Sequence, residues 1–258
     1  NTFDYAQLTV SKNVITSAQD EDNAAVILDS PFTVTVSCTF NGSAVYADGY
    51  SAGTPMVLSL AAGAAQTLTK LPAGASCTVT ETTPGHAEGT TIRWSTATNP
   101  GGTTAVGTTA TFTLTRDNPG GTNSAIVNNS YGVASFTVEK QVKGGGAAQF
   151  GTGPFIIHVL CVAPGGVTAY DGDVSLSPST TMSVTINNIA KSSVCSAQET
   201  NFASTGADAL VYRNGAGAVF DGTGVDVSTG TPKVTVENWY LTGEVSVTTS
   251  CPPGSFGG

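Results

Sequence analysis

Apolar and polar residues alternate along most of this chain. In Phe32-Thr-Val-Thr-Val-Ser-Cys38, residues Phe32, Val34, Val36 and Cys38 fall on one face, and Phe155, Ile157, Val159 and Cys161 repeat the arrangement further on. A period of two is the signature of a strand with one buried face. The same reading predicts strands over 57–60, 67–71, 76–81, 91–95, 109–115, 182–189 and 233–238. Gly, Pro and Asn punctuate the intervals, as turns require. A Gly/Thr-rich stretch over 99–109 reads as a hairpin or surface loop. About seven short antiparallel strands per roughly 110 residues suit an Ig-like sandwich.

The pattern also repeats on a longer scale. Asn1-Thr-Phe-Asp-Tyr-Ala-Gln-Leu-Thr-Val-Ser-Lys12 aligns with Asn129-Ser-Tyr-Gly-Val-Ala-Ser-Phe-Thr-Val-Glu-Lys140, the Lys eleven residues after the Asn in both. A third copy begins at Asn238-Trp-Tyr and carries Thr249 where the others have Lys. Pro31-Phe32 precedes Cys38 as Pro154-Phe155 precedes Cys161, and Cys77-x-x-x-Glu81 matches Cys195-x-x-x-Glu199. Each unit therefore reads Lys, Pro-Phe, Cys, Cys, Glu, Asn-x-aromatic. Repeats of this kind define the architecture before any single motif does. The expected division is a last-strand remnant over 1–5, module one over 6–131, module two over 132–242, and the start of a third module or a tail over 243–258. The seven-residue link from Asn129 to Ser135 is too short for a flexible spacer, so the modules should stand nearly end to end with a small contact between them.

Composition narrows the class. The chain has 258 residues, 40% hydrophobic and only 10% charged, with a net charge of −9. Average soluble domains are roughly 25% charged, and the polar bulk here is Thr and Ser instead of Lys and Glu. Coiled coils and helical bundles are excluded for want of charged helix-formers, and disorder by the abundance of apolar residues. No apolar run approaches the ~20 residues of a membrane helix. Nine basic residues against eighteen acidic ones exclude a dedicated nucleic-acid binder. Five Cys suit an exported protein whose thiols can pair.

Candidate chemistry begins with those thiols. Cys38 and Cys77 lie on inward faces of separate strands, and Cys161 and Cys195 occupy the same slots in the second module. Pairing within each module, Cys38–Cys77 and Cys161–Cys195, is the economical reading, with two buried free thiols per module as the alternative. Cys251 is left over, and the sequence does not choose its partner.

Strand parity also aims polar groups inward. Lys12 shares a face with Leu8 and Val10, Lys140 with Phe136 and Val138, Glu81 with Cys77 and Val79, and Glu199 with Cys195 and Ala197. Asn129 shares one with Val127, and Asn238 with Val234 and Val236. A buried charge is costly enough to shift the pKa until the group neutralises, so Lys should become a free amine and Glu a neutral acid. Amine, amide and proton shuttle in contact can form a Lys–Asn amide and expel ammonia. The ordinary alternatives are a Lys that snorkels to water and an Asn doing turn chemistry. Lys143 and Asn128 stand close enough in sequence to be partners or decoys.

The order Lys on a first strand, Glu in the middle, Asn-x-aromatic at the close resembles the Cna B-type and SpaA-like Ig modules of Gram-positive surface proteins. The Cys pair and the phrase Leu71-Pro-Ala-Gly-Ala-Ser-Cys-Thr-Val-Thr-Glu81 are similar to an actinobacterial family of repeated Ig-like surface modules. The resemblance implies intramolecular isopeptide bonds, Lys12–Asn129 with Glu81 and Lys140–Asn238 with Glu199 as proton shuttles. It also implies an extracellular, cell-wall-associated place in stalks, pili or adhesins. Thr249 departs from the pattern, as does Ile189-Ala-Lys-Ser-Ser-Val, which replaces the Pro-Ala-Gly lead-in to the second Glu.

Nothing else in the chain carries chemistry. His86 and His158 lie in different modules, outside any ligand spacing, with His158 facing outward. Asp20-Glu-Asp22 and Asp171-Gly-Asp173 lack calcium-loop spacing and read as acidic surface loops. Gly120-Gly121 and Gly144-Gly-Gly146 lack a P-loop Lys and read as turns. No metal, no cofactor and no substrate turnover is expected, only self-catalysed crosslinking. The leading reading is a rigid structural segment whose partners are neighbouring modules of the same array. The alternatives are an adhesin module binding a host or surface ligand, and a surface-layer or filament subunit that self-assembles.

Overall fold

Period-two segments become strands throughout the computed structural model, which describes residues 4–117, 123–228 and 232–243. The first half of the chain runs β1 (Tyr5–Ile15), β2 (Phe32–Phe40), β3 (Ser43–Val45), β4 (Met56–Leu60), β5 (Ala65–Pro72), β6 (Ser76–Glu81), β7 (Gly89–Thr96), β8 (Asn99–Val106), β9 (Thr109–Thr113) and β10 (Asn123–Ser130). The second runs β11 (Val133–Lys143), α1 (Ala147–Phe150), β12 (Phe155–Ala163), β13 (Val167–Leu176), β14 (Ser183–Ala190), β15 (Val194–Glu199), α2 (Phe202–Thr205), β16 (Ala209–Asn214), β17 (Val219–Phe220), β18 (Val225–Asp226) and β19 (Lys233–Trp239). The Gly/Thr-rich stretch forms a hairpin in which β8 pairs with β7. β13 and β16 were not foreseen. β13 interrupts its apolar positions with Asp171, Gly172 and Asp173, and β16 has no fully buried residue to reveal its parity. Asn1, Thr249 and Cys251 lie outside the described residues, as does nearly all of 243–258.

Each half is an all-β sandwich of two sheets. In the first, the order β5-β1-β10-β7-β8 faces β3-β2-β6-β9, with β4 also on β2; in the second, β14-β11-β19-β16-β17 faces β13-β12-β15-β18. Leu8, Val10, Ile92 and Val127 from one sheet pack against Val34, Val36 and Val79 from the other. Phe136, Val138, Val234 and Val236 meet Ile157, Val159 and Ala197 in the same way. Each such side chain contributes about 1.5–3 kcal/mol by leaving water. The first and last strands of each half are parallel neighbours, Lys12 opposite Val127 and Lys140 opposite Val236. The Glu residues lie on the opposing sheet, on β6 and β15.

Both disulfides are present, Cys38–Cys77 and Cys161–Cys195. Each joins directly opposite residues of neighbouring strands in one sheet, β2 to β6 and β12 to β15. They therefore stitch a sheet and do not bridge the sandwich.

Contact between the halves is wider than the short link suggests. The connection from β1 to β2 crosses to the second half, where Ala18, Val26 and Leu28 are buried in its core cluster. Gln19 and Asn188 exchange a backbone bond of 2.9 Å and a side-chain bond of 3.0 Å. The Asp171 backbone N–H donates to Glu21 at 2.9 Å, and Lys191 pairs with Glu88. The segment Val26-Ile-Leu28 joins none of the sheets and is apolar throughout, so the sequence gives no face to it, yet Val26 and Leu28 are drawn into the nearest core while Ile27 stays exposed.

Candidate crosslinking sites

The offset between the parallel strands brings Lys and Asn together. Val14 lies opposite Asn129 and Val142 opposite Asn238, so in each half the Asn is two residues beyond the Lys register partner and on the same face. The opposing sheet lowers the Glu onto that pair. All six side chains are buried, none more than 8% exposed.

In the second half the contacts are close. Lys140 Nζ donates to Glu199 Oε2 at 2.7 Å and to Asn238 Oδ1 at 2.6 Å. Asn238 Nδ2 donates to Glu199 Oε1 at 2.9 Å, which closes the triangle. The Glu199 backbone N–H donates to the Tyr212 hydroxyl at 3.0 Å and fixes the end of β15. In the first half, Lys12 Nζ lies 3.1 Å from Glu81 Oε1 and donates to the Val127 carbonyl at 3.5 Å. The same Oε1 accepts from Asn129 Nδ2 at 3.0 Å. Glu81 Oε2 and Asn129 Oδ1 are, among the described residues, the buried side-chain oxygens without a hydrogen-bond partner. Both atoms are acceptors that no donor reaches in this arrangement.

The repeated Pro-Phe landmark has a role that spacing alone does not reveal. Lys12 Nζ sits 4.4 Å from the centroid of the Phe32 ring, and Lys140 Nζ sits 4.5 Å from that of Phe155. The ring lies on the strand that pairs with the Glu strand, so one sheet presents both the aromatic face and the carboxylate to the amine. Burial lowers the pKa of Lys12 against the opposing pull of Glu81. It lowers that of Lys140 from 10.5 to about 8, with Glu199 again working to raise it. Desolvation outweighs the carboxylate in both.

The other candidates stay apart from these sites. Asn128 points out of the sheet and accepts from Asn13 at 3.0 Å. Lys143 is only partly buried, at the end of β11. His86 lies 2.9 Å from the largely buried Asp29, and His158 lies 3.3 Å from Asp171 and 3.0 Å from Asp173, both imidazoles being at the surface. Among the described residues no three His, Cys, Asp or Glu side chains gather in a metal-holding group, and no helix is long and apolar enough to cross a membrane.

Comparison with known proteins gives a family. The model described as "Domain of unknown function (DUF5979)" matches residues 8–132 and again 136–241, and the chain belongs to that family. No curated protein matches the sequence. Among solved structures, the chain is similar to the major pilin T-13 of Streptococcus pyogenes, at 14% identity and TM-score 0.46 over 93% of this chain and 98% of that one. It is also similar to the S. pyogenes major pilin T3.2, at 12% identity and TM-score 0.43 over 93% and 99%. A third is a Mobiluncus mulieris adhesin containing intramolecular disulfide, isopeptide and ester bond cross-links, at 11% identity and TM-score 0.37 over 91% and 99%.

Proposed function

We propose that these two DUF5979 domains, over 6–131 and 132–242, form a structural segment of an extracellular stalk, pilus or adhesin at a bacterial cell surface. Each domain closes its own Lys–Asn isopeptide bond, in the manner of the Cna B-type and SpaA-like modules the sequence resembles. The observation that carries this reading is a buried Lys and Asn that both contact one buried Glu in each half, with Lys140, Glu199 and Asn238 in mutual contact within 2.6–2.9 Å in the second.

The reaction needs nothing beyond these side chains. The Lys ammonium passes a proton to the Glu carboxylate, which leaves a free amine and a carboxylic acid. The amine attacks the Asn carbonyl carbon, and a proton from the attacking nitrogen reaches Nδ2. The Cγ–Nδ2 bond then breaks and ammonia leaves. The products are a secondary amide, ammonia and a protonated Glu, with atoms and charge balanced against the starting ion pair. The buried charge pair, costly in this interior, has been replaced by neutral groups.

A bond from first strand to last makes mechanical sense. Tension enters a domain through β1 and leaves through β10, and a Lys12–Asn129 amide carries it without loading the strands between. Lys140–Asn238 does the same for β11 and β19.

Intact mass tests the reading directly. The reduced wild-type chain should be lighter than its sequence by one ammonia per domain. Glu81→Gln should restore one ammonia and Glu199→Gln the other, each leaving the remaining crosslink intact. Removing the carboxylate also strands a buried Lys, so the altered domain should lose about 3–5 kcal/mol of stability. A wild-type mass equal to that of the sequence refutes the crosslinks.

A further inference from the structure

Asn238 Nδ2 carries two hydrogens, and both have acceptors. One goes to Glu199 Oε1 at 2.9 Å, and the other faces Thr205 Oγ1 at 3.4 Å. The Thr205 hydroxyl spends its own hydrogen on the Phe202 carbonyl at 2.7 Å, and its oxygen, with two lone pairs, accepts from the Ala207 backbone N–H at 3.3 Å and faces Asn238 with the other. Thr205 is the last residue of α2, the turn that follows the Glu199 strand, and Gly206 ends that turn at φ 72°. The Thr205 carbonyl accepts from the Tyr240 hydroxyl at 3.2 Å, which ties the turn to the strand bearing Asn238. Beside it lies a cavity of ≈ 310 Å³ lined by the polar Thr205, Ser204, Asn201 and Thr152 together with Phe150 and Pro154.

The first half has the same arrangement from different atoms. Asn129 Nδ2 donates to Glu81 Oε1 at 3.0 Å and to the Pro84 carbonyl at 3.3 Å. Pro84, like Thr205, lies in the connection that leaves the Glu strand. In both halves the amide nitrogen is therefore held by the Glu and by a second acceptor just downstream of it. In the first half that downstream acceptor is a backbone carbonyl, and in the second it is a side-chain hydroxyl.

We infer that the Thr205 hydroxyl is the leaving-group acceptor for the Lys140–Asn238 reaction and that the adjoining cavity is the exit for its ammonia. This rests on the crosslinking reading above. With both N–H groups engaged, the amide plane is fixed and Oδ1 is turned to Lys140 Nζ, 2.6 Å away. As the Lys140 Nζ–Cγ bond forms and Cγ–Nδ2 breaks, Nδ2 gains the proton relayed by Glu199 and leaves as NH3. Throughout, one of its N–H groups keeps the bond to Thr205 Oγ1. Ammonia is about the size of water, and the polar lining of the cavity offers it hydrogen bonds on departure.

Thr205→Val removes the acceptor while keeping the shape, and Thr205→Ser keeps the acceptor. The full chain, wild type or variant, is made by cell-free translation and quenched in acid at intervals. After digestion, mass spectrometry follows the Lys140–Asn238 and Lys12–Asn129 crosslinked peptides in the same molecules. Thr205→Val should slow the Lys140–Asn238 bond roughly three- to ten-fold, the worth of one hydrogen bond. Thr205→Ser should stay within about two-fold of wild type, and Lys12–Asn129 should keep its rate in both variants. Equal rates in wild type and Thr205→Val would overturn the inference. So would a Thr205→Ser variant as slow as Thr205→Val, since packing and not the hydroxyl would then matter. Absence of both crosslinks from wild type would instead remove the reaction itself.

Discussion

A lysine with no exposed side-chain surface has few stable choices. Lys140 contacts both the Phe155 ring and Glu199, and burial brings its pKa to about 8. The ion pair and the reactive pair, amine plus carboxylic acid, hold the same single proton, so moving between them costs no exchange with solvent. The reaction should therefore be insensitive to pH while the pair retains that proton. Above about pH 8 the ammonium is lost to solvent, leaving an amine beside a carboxylate with no acid to polarise the amide. Formation of Lys140–Asn238 in newly made chain should thus be level near neutrality and fall as pH rises past 8. Timed acid quenching and peptide mass at pH 7 and pH 9 would reveal it. A rate that keeps climbing with pH would mean that the free amine alone limits the reaction and that Glu199 gives no proton.

At the scale of the strand, each Glu is held by the element that holds a disulfide. Cys77 and Glu81 sit on one face of β6, and Cys195 and Glu199 on one face of β15, four residues apart in each case. Each strand is bonded to its neighbour along the whole ladder, so the disulfide stabilises a pairing that exists without it. A Cys38→Ala/Cys77→Ala chain should keep the fold and the Lys12–Asn129 bond. It should lose about 4 kcal/mol in urea unfolding, and less where the larger crosslinked loop already restrains the unfolded chain. Loss of the crosslink along with the disulfide would show that the sheet does not position Glu81 alone. Most of this scale was legible beforehand, because burial on one face writes a period of two into the residues. That parity brought Lys12, Glu81 and Asn129 to one interior. What stayed hidden lies on irregular backbone, where no period exists. Pro84 contributes a carbonyl that every residue has, and Thr205 is one Thr in a chain rich in them. Phe32 and Phe155 were visible as a repeated landmark, but sequence does not show which ring lies over which amine.

Across the whole molecule the two proposed staples fall in series. Tension would pass through Lys12–Asn129, along residues 130–139, then through Lys140–Asn238. The one stretch between staples is thus short, and part of it is already in β11. Bending at the joint is opposed by something else, the crossing segment whose Ala18, Val26 and Leu28 enter the second core. This segment lies within the 13–128 loop that the first staple closes, so it is shielded from tension while it holds the halves together. Staple and strap are separable on this account. Val26→Ser with Leu28→Ser should leave both crosslinks in the mass spectrum, because both side chains are apolar and belong to the second core cluster, outside the hydrogen bonds and ion pairs that hold the Lys, Glu and Asn together. Each truncation costs a few kcal/mol at a buried apolar position, and that cost falls on the contact between the halves. Small-angle scattering of the wild-type chain should fit one arrangement of the two halves, whereas the variant should need a spread of arrangements with a larger radius of gyration. Identical profiles would mean that the seven-residue link and the Lys191–Glu88 pair hold the joint without the strap.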